Sequence, residues 1–393
     1  MNNYGFEIDF INVGSGERSG DAIAVRYGTP GNYIVMVVDG GNKESGQALV
    51  DHIQTNYKTS FVHYLVNTHP DMDHASGLEV VLEKLSVGEV WLHQPWKYKE
   101  QILTLMKDQR ITANSLEERM KNALNHAYKI EEIAKKKIKP IPVHEPFAGS
   151  RIGSFYVASP SRSWYLEIIS HFNKTPDAKF NPRNIGILGL GGLSGLGLLN
   201  SNYKSGLGIA DLINPANTNP LLRAVAENIV NYEWWGKETL KDGRVTSYDN
   251  ESSVILYANL ADQGILLTAD AGCQALTHAA NFLELCGVTL PNNLKFIQIP
   301  HHGSRNNIGP TILNRLVGHP RNENSNSGIT AFVTAGAQSK THPRKVVTNA
   351  FKRRGVNVIN IKGVSACYPY NMPLRPNWIS ASQVPFYDCV ENY

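Results

Sequence analysis

The segment Thr68-His69-Pro70-Asp71-Met72-Asp73-His74-Ala75-Ser76-Gly77-Leu78 places four strong metal ligands, His69, Asp71, Asp73 and His74, within six residues. A fixed H-x-D-x-D-H pattern arises by chance in roughly one chain in a thousand of this length. It follows an apolar run that reads as a strand and precedes a run that reads as a helix. A strand ending in a tight turn lets the side chains at 69, 71 and 73 converge while His74 opens the helix. Imidazoles supply neutral nitrogen and carboxylates cancel cation charge, so one such turn can feed two metals. The competing reading makes Asp73 a helix N-cap and the histidines ordinary satisfied polar residues.

Two later segments carry the same chemistry. Pro300-His301-His302-Gly303-Ser304 puts paired histidines after an apolar run, and Thr268-Ala269-Asp270-Ala271-Gly272 delivers a carboxylate between a strand and a helix. Three strand ends then point at one site. His52, His93, His126, His144 and His171 have no partner spacing and read as structural.

Elements must hold these ends together. Strands are expected over 6–13, 22–27, 33–38, 61–67 and 89–92, with helices over 44–56 and around 78–85. The style returns near 254, with strands over 254–258, 264–267, 294–299, 330–334 and 356–361 and helices over 274–286 and 344–354. Gly355 stands where a helix C-cap is expected. The middle does not keep this alternation. From 96 to 139 it reads as helical and basic, eleven Lys and Arg against six acids, which fits either a solvated helical face or a surface for nucleic acid. Residues 185–210 are rich in Gly, Leu and Ser and lack the Gly-Lys-Ser/Thr ending of a phosphate loop, so they read as a mobile or tightly packed loop rather than a nucleotide cradle.

With 393 residues, 42% hydrophobic and 18% charged, the chain has the composition of a globular protein and not of a disordered, collagen-like or coiled-coil one. The net charge of +4 tolerates a polyanion without requiring one. Four cysteines without a C-x-x-C pair suggest neither a disulfide framework nor a thiolate zinc site. The first residues show no basic and apolar secretory pattern, and the most apolar tract, 185–199, is broken by six glycines and too short for a membrane span. A cytoplasmic protein is expected.

At this point the residues resemble the metallo-β-lactamase-fold hydrolases, and in particular the soluble domain of the competence DNA-uptake channel proteins (ComEC type). The likeness rests on the H-P-D-x-D-H turn, the later strand with Thr268-Ala269-Asp270, the Pro-His-His-Gly-Ser element, Gly20-Asp21-Ala22 and Asp39-Gly40-Gly41. It covers roughly 5–94 and 250–365. It implies an α/β fold, a four-layer αββα sandwich: one domain over 1–393 with its core in 1–95 and 250–365, a long, partly helical insertion over 96–249 and an extension over 366–393.

The resemblance further implies two divalent metal ions, zinc or manganese. His69 and Asp71 would hold one, Asp73 and His74 the other, with Asp270 bridging and His301 completing the second site. His302 would be an outer group or proton donor, and the choice between the adjacent histidines stays open. Asp39 and Ser304 would support the ligands from outside, and Asp73 would also serve catalysis. Ala269 replaces the usual glycine. The Gly-His-Thr ligand of many relatives has no counterpart, so either Asp249 or Asn250 faces the first metal or water fills the place. Lys340-Thr341-His342-Pro343 is similar to the family's late Gly-His-Pro element, where His342 contacts a phosphate, shuttles a proton, or is only a loop histidine.

Two such cations lower the pKa of a shared water toward 7 and stabilise charge on both oxygens of an in-line displacement, which suits a phosphodiester. The expected function is a metal-dependent phosphodiester hydrolase, foremost a nuclease, with nucleic acid or a nucleotide as substrate and no membrane span. Partner proteins could dock on the 96–249 insertion. The alternatives are a hydrolase of the same fold acting on a lactone, thioester or other carbonyl, and a metal-stabilised binding or regulatory module.

Overall fold

The structure is a computed structural model that describes residues 4–14, 16, 20–105, 110–171, 230–376 and 378–391. The Gly-rich 185–210 segment and Lys107 of the basic stretch lie outside the described residues.

In chain order the strands are β1 (Gly5–Phe10), β2 (Ala22–Thr29), β3 (Asn32–Gly40), β4 (Phe61–Val66), β5 (Ser86–Trp91), β6 (Val143–His144), β7 (Arg151–Ile152), β8 (Phe155–Ser159), β9 (Val230–Tyr232), β10 (Ile255–Leu260), β11 (Gln263–Leu267), β12 (Leu294–Gln298), β13 (Thr330–Ala335), β14 (Asn357–Lys362), β15 (Ala366–Tyr370) and β16 (Cys389–Glu391). The helices are α1 (Lys43–His52), α2 (Met72–Lys84), α3 (Lys99–Leu105), α4 (Ala113–Ala123), α5 (Asn125–Lys136), α6 (Arg162–Ile168), α7 (Tyr248–Glu251), α8 (Cys273–Leu285), α9 (Pro310–Val317) and α10 (Lys345–Arg353).

Two seven-stranded sheets run β15-β1-β2-β3-β4-β5-β6 and β14-β13-β12-β11-β10-β8-β7, and β16 pairs with β9 in a small third sheet. Period-2 alternation sorts the side chains into layers. Ile23, Val25, Met36 and Val38 join Phe296, Leu256 and Phe332 between the sheets. Ala24, Val35 and Val37, from the same strands, face Leu49, Leu78 and Ile130 of α1, α2 and α5. On the far side, Ile297, Ala331 and Val358 pack on Leu276, Leu313 and Phe351 of α8, α9 and α10. The strands are buried on both faces, and therefore read as continuous apolar runs. The result is the expected αββα sandwich. No described helix is long and apolar enough to cross a membrane.

Within 96–249, read as an insertion, β6 pairs parallel with β5 and β8 pairs antiparallel with β10, so this stretch completes an edge of each large sheet. These strands are only two to five residues long, too short for alternation to show in sequence. In 366–391, β15 adds to β1 and β16 to β9.

Parallel pairing sets the site. β3 and β4 are parallel, as are β11, β12 and β13, so their carboxyl ends open on one side, where open α/β layers place their ligands. β2 is antiparallel to β3 with Ala22 opposite Gly40, which brings the preceding Asp21 to that side.

Candidate metal centre

The loop after β4 supplies Thr68, His69 and Asp71, and the first turn of α2 supplies Asp73 and His74. Asp71 occupies the N-cap position and makes no side-chain capping bond, so the capping explanation for these acids loses its support. Asp270 follows β11, and His301 and His302 follow β12.

Four imidazole Nε2 atoms surround the buried Asp270 carboxylate. Its Oδ2 lies 3.8 Å from His69, 3.5 Å from His74 and 3.7 Å from His301, and its Oδ1 lies 3.6 Å from His302. These gaps are too long for hydrogen bonds. They suit donors sharing a cation, since two ligands about 2.1 Å from one tetrahedral ion stand about 3.4 Å apart. His69 Nε2, His74 Nε2 and Asp270 Oδ1 are buried with no hydrogen-bond partner among the described residues. Buried polar atoms seldom remain orphaned without a ligand to complete them.

Each ring is turned by its other nitrogen. His74 Nδ1 lies 2.8 Å from Asp39 Oδ2. His69 Nδ1 lies 3.0 Å from Thr68 Oγ1, whose hydroxyl donates to Asp39 Oδ2 at 2.6 Å. His302 Nδ1 lies 3.0 Å from Thr334 Oγ1, which donates to Asp21 Oδ1 at 2.6 Å. Asn307 donates through Nδ2 to the Asp270 carbonyl at 2.8 Å and so presents Oδ1 to His301 Nδ1 at 3.0 Å. For His74, His69 and His302 the Nδ1 faces an acceptor and carries the proton, leaving the Nε2 lone pair bare toward Asp270, whereas His301 Nδ1 meets both Asn307 Oδ1 and the Asn250 amide nitrogen.

Asp39, His69 and His74 are also close enough to share an ion, as are His74, Asp270 and His302. The first grouping is the weaker, because Asp39 already accepts from Thr68 N at 2.8 Å, Thr68 Oγ1 and His74. The second groups His302 with His74 and Asp270, where the resemblance gave that place to His301. Half-turned to solvent, His301 sits beside Asn250, whose amide Nδ2 is 2.9 Å from His301 Nδ1. Asn250 thus touches the back of a ring instead of facing a metal position, and Asp249 is buried beside it on α7.

The remaining expected residues lie nearby. Asp71 Oδ2 is 3.9 Å from His69 Nε2. Asp73 is half-buried and its charge acts on His302. The His342 ring is parallel to that of His301 at 6.2 Å. Ser304 hydrogen-bonds within its own turn, its Oγ accepting from Asn306 N.

Burial pushes the Asp270 pKa up, but His301, His74 and His302 outweigh it and hold the carboxyl well below its usual range. Burial lowers His74, yet Asp270 and Asp39 raise it well above the ordinary value. Burial pushes Asp21 up to about 6 and brings both His302 and His342 down to about 4. Asp39, Ala269, His301 and His302 all have positive φ, of 56°, 47°, 45° and 54°, a concentration of left-handed non-glycine backbone that typifies functional sites.

Sequence reasoning gave no individual role to Asp21, Thr68, Asn307 and Thr334. Thr68 adjoins the motif and Asp21 stands in a quoted match, but a lone Thr or Asn at a strand end carries no spacing signal. The basic stretch presents less free charge than its composition implied. Lys99 and Lys121 pair with Glu117, Lys135 with Glu131 and Lys136 with Glu132, while α4 and α5 bury Leu116, Met120, Ile130 and Ala134 in the core.

Residues 16–144 match the family model described as the metallo-beta-lactamase superfamily. That span includes the 69–74 turn. No curated protein matches the chain. Similar solved structures include a metallo-beta-lactamase with a HARLDQ motif from Cronobacter sakazakii (Enterobacter sakazakii), 17% identical over 35% of this chain and 44% of that one, with a TM-score of 0.19. MEM-A1, a subclass B3 metallo-beta-lactamase from a soil metagenome library, is 17% identical over 38% of this chain and 50% of its own, TM-score 0.21. A variant of the CmlA beta-hydroxylase is 10% identical over 93% of this chain and 54% of its own, TM-score 0.36. The alignments span about half the length of these proteins.

Proposed function

We propose that this chain, which carries a metallo-beta-lactamase superfamily domain over residues 16–144, is a metal-dependent hydrolase of phosphodiester bonds, foremost a nuclease. The observation that carries the reading is the donor set: four imidazole Nε2 atoms around Asp270, with Asp71 and Asp73 on the same turn and no cysteine among them. Oxygen-rich, thiolate-free sites suit zinc and manganese and tolerate phosphoryl oxygens.

His74, His302, Asp73 and Asp270 would hold one cation, and His69 and Asp71 a second that shares Asp270, with His301 beside it. When bound, such a pair supplies Lewis-acid polarisation and an acidified water. The chain's own residues do the rest. Asp39, Thr68 and Thr334 hold His74, His69 and His302 in the ligand tautomer, and Asn307 positions the His301 ring. His342, kept neutral by burial and parallel to the His301 ring at 6.2 Å, would hydrogen-bond an oxygen of the leaving group. The carboxylates repel a phosphodiester until their charge is neutralised, so turnover depends strictly on metal. The similarity of the H-P-D-x-D-H turn to the competence-type proteins supports a nucleic acid or nucleotide substrate.

The test is a substrate panel with manganese or zinc: single- and double-stranded DNA, RNA, a bis-aryl phosphodiester and a lactone. Phosphodiester cleavage that chelation abolishes, and that Asp270→Ala and Asp73→Ala remove while the fold persists, is the expected result. Cleavage of the lactone alone would overturn the phosphodiester reading. A folded protein that binds no metal would make the chain a binding module instead.

A further inference from the structure

We infer that His93, with the small cavity it shares with His69, is a subsite for one oxygen of the substrate's tetrahedral phosphoryl group. The oxygen's identity rests on the phosphodiester reading above, whereas the subsite itself rests on geometry.

His93 follows β5 and is 7% exposed. One face of its ring lies on Tyr165, with centroids 4.3 Å apart and planes at 25°, and Phe147 is 4.9 Å away. Two aromatic rings thus pack against it, yet neither Nδ1 nor Nε2 has a hydrogen-bond partner among the described residues. The histidines facing Asp270 each commit Nδ1 to a neighbour; His93 commits nothing.

A cavity of ≈ 10 Å³ adjoins it, lined by Asn67, His69, Pro70, Pro95 and Ala127 and closed by Tyr165. That volume fits a single oxygen-sized group. Pro70 and Pro95 have no N–H to offer. The Asn67 amide nitrogen is spent on the His69 carbonyl at 2.8 Å and on Asp39 Oδ1 at 3.4 Å. The imidazole N–H of His93 thus remains to meet an incoming oxygen, in a cavity whose lining also includes His69. Phenylalanine would fill the same slot against Tyr165 without leaving two polar atoms unpaired, so packing alone does not call for histidine here. Polar groups kept unpaired beside a reaction centre are the ones a ligand completes.

The experiment titrates inorganic phosphate into the full-length, metal-loaded protein by calorimetry and compares the wild type with His93→Phe and His93→Gln, recording metal content and thermal midpoint for each. His93→Phe should keep its metal, melt at the same temperature or higher, and bind phosphate at least tenfold more weakly; His93→Gln, which retains a donor, should fall between. If His93→Phe does not fold, His93→Gln alone decides, with a loss of threefold or more expected. Phosphate affinity within twofold of wild type in the folded, metal-loaded variants, or no phosphate binding by the wild type, overturns the subsite. Phosphate binding that depends on His93 in a protein that cleaves no phosphodiester sustains the subsite and removes the reaction assigned above, so the two failures are distinct.

Discussion

His302 and Thr334 are joined by a 3.0 Å contact between Nδ1 and Oγ1, and the same hydroxyl donates to Asp21 at 2.6 Å. A hydroxyl already giving its proton to a carboxylate can only accept from the ring, so Nδ1 must carry hydrogen and Nε2 must face Asp270. Thr334→Val keeps the shape and removes the acceptor. We expect metal affinity to fall by about 10- to 100-fold, with Thr334→Ser restoring most of it. A competition titration against a chromophoric chelator reads the change, and an unchanged affinity in Thr334→Val would show that the ring needs no such guide.

Gly77 lies on the inner face of α2, the helix that begins with Asp73 and His74. A Cβ there would overlap the carbonyl oxygens of Gly40 and Asn42, because α2 is drawn onto the end of β3 by the bond from Gly77 N to Gly41 O at 2.9 Å. Both obstacles are backbone and cannot swing aside. Gly77→Ala should cost about 3 kcal/mol or more and weaken metal binding, since any retreat of α2 moves His74 from Asp39. Denaturant unfolding with a parallel metal titration measures both, and wild-type values would mean that the contact relaxes freely.

Ala269 precedes the central carboxylate with φ of 47°, a left-handed conformation that costs an L-residue roughly 1–2 kcal/mol relative to glycine. Its carbonyl accepts from His301 N at 3.0 Å, fixing the peptide in place. Ala269→Gly should stabilise the metal-free protein by about 1 kcal/mol after glycine's own entropic cost, visible as a higher denaturant midpoint with the same slope. A lower midpoint would mean that the left-handed turn is not strained.

What the sequence disclosed and what it withheld divide along physical lines. His69, Asp71, Asp73 and His74 announce themselves because ligand types crowd one turn, and β2, β3, β12 and β13 because both of their faces are apolar. Asp270 and the His301-His302 pair are legible only as carboxylate and imidazole at strand ends. Which histidine stands nearer His74 depends on left-handed backbone at both positions, which residue type does not encode. Thr68, Asn307 and Thr334 are silent for another reason: orienting a ring takes one hydrogen bond, and any strand end offers a Thr or Asn. β6, β7 and β8 are too short to show a period, so the 96–249 stretch reads as separate from the sheets whose edges it completes. His93 reads as structural because its meaning lies in partners it does not have.

On β1, Arg375 of the carboxyl-terminal stretch forks onto Asp9, with Nη1 2.6 Å from Oδ1 and Nη2 2.7 Å from Oδ2. Tyr57 donates to the same carboxylate at 2.6 Å and His52 Nε2 lies 3.2 Å away. Burial pushes the Asp9 pKa up, but His52 and Arg375 outweigh it and bring it down to about 2. A carboxyl with a folded pKa below its unfolded value stabilises the fold above the unfolded pKa of about 3.8 and loses that contribution as pH falls toward 2. The shift corresponds to about 2 kcal/mol, and Asp9 is fully buried, so solvent does not screen it. Other carboxylates titrate in the same window, which makes the difference between wild type and Asp9→Asn the quantity to measure. Denaturant unfolding at several pH values should show that difference largest above pH 4 and shrinking by about 2 kcal/mol toward pH 2. A difference that stays constant with pH would mean that Asp9 keeps its ordinary pKa and that Arg375 ties the carboxyl-terminal stretch down by packing rather than by charge.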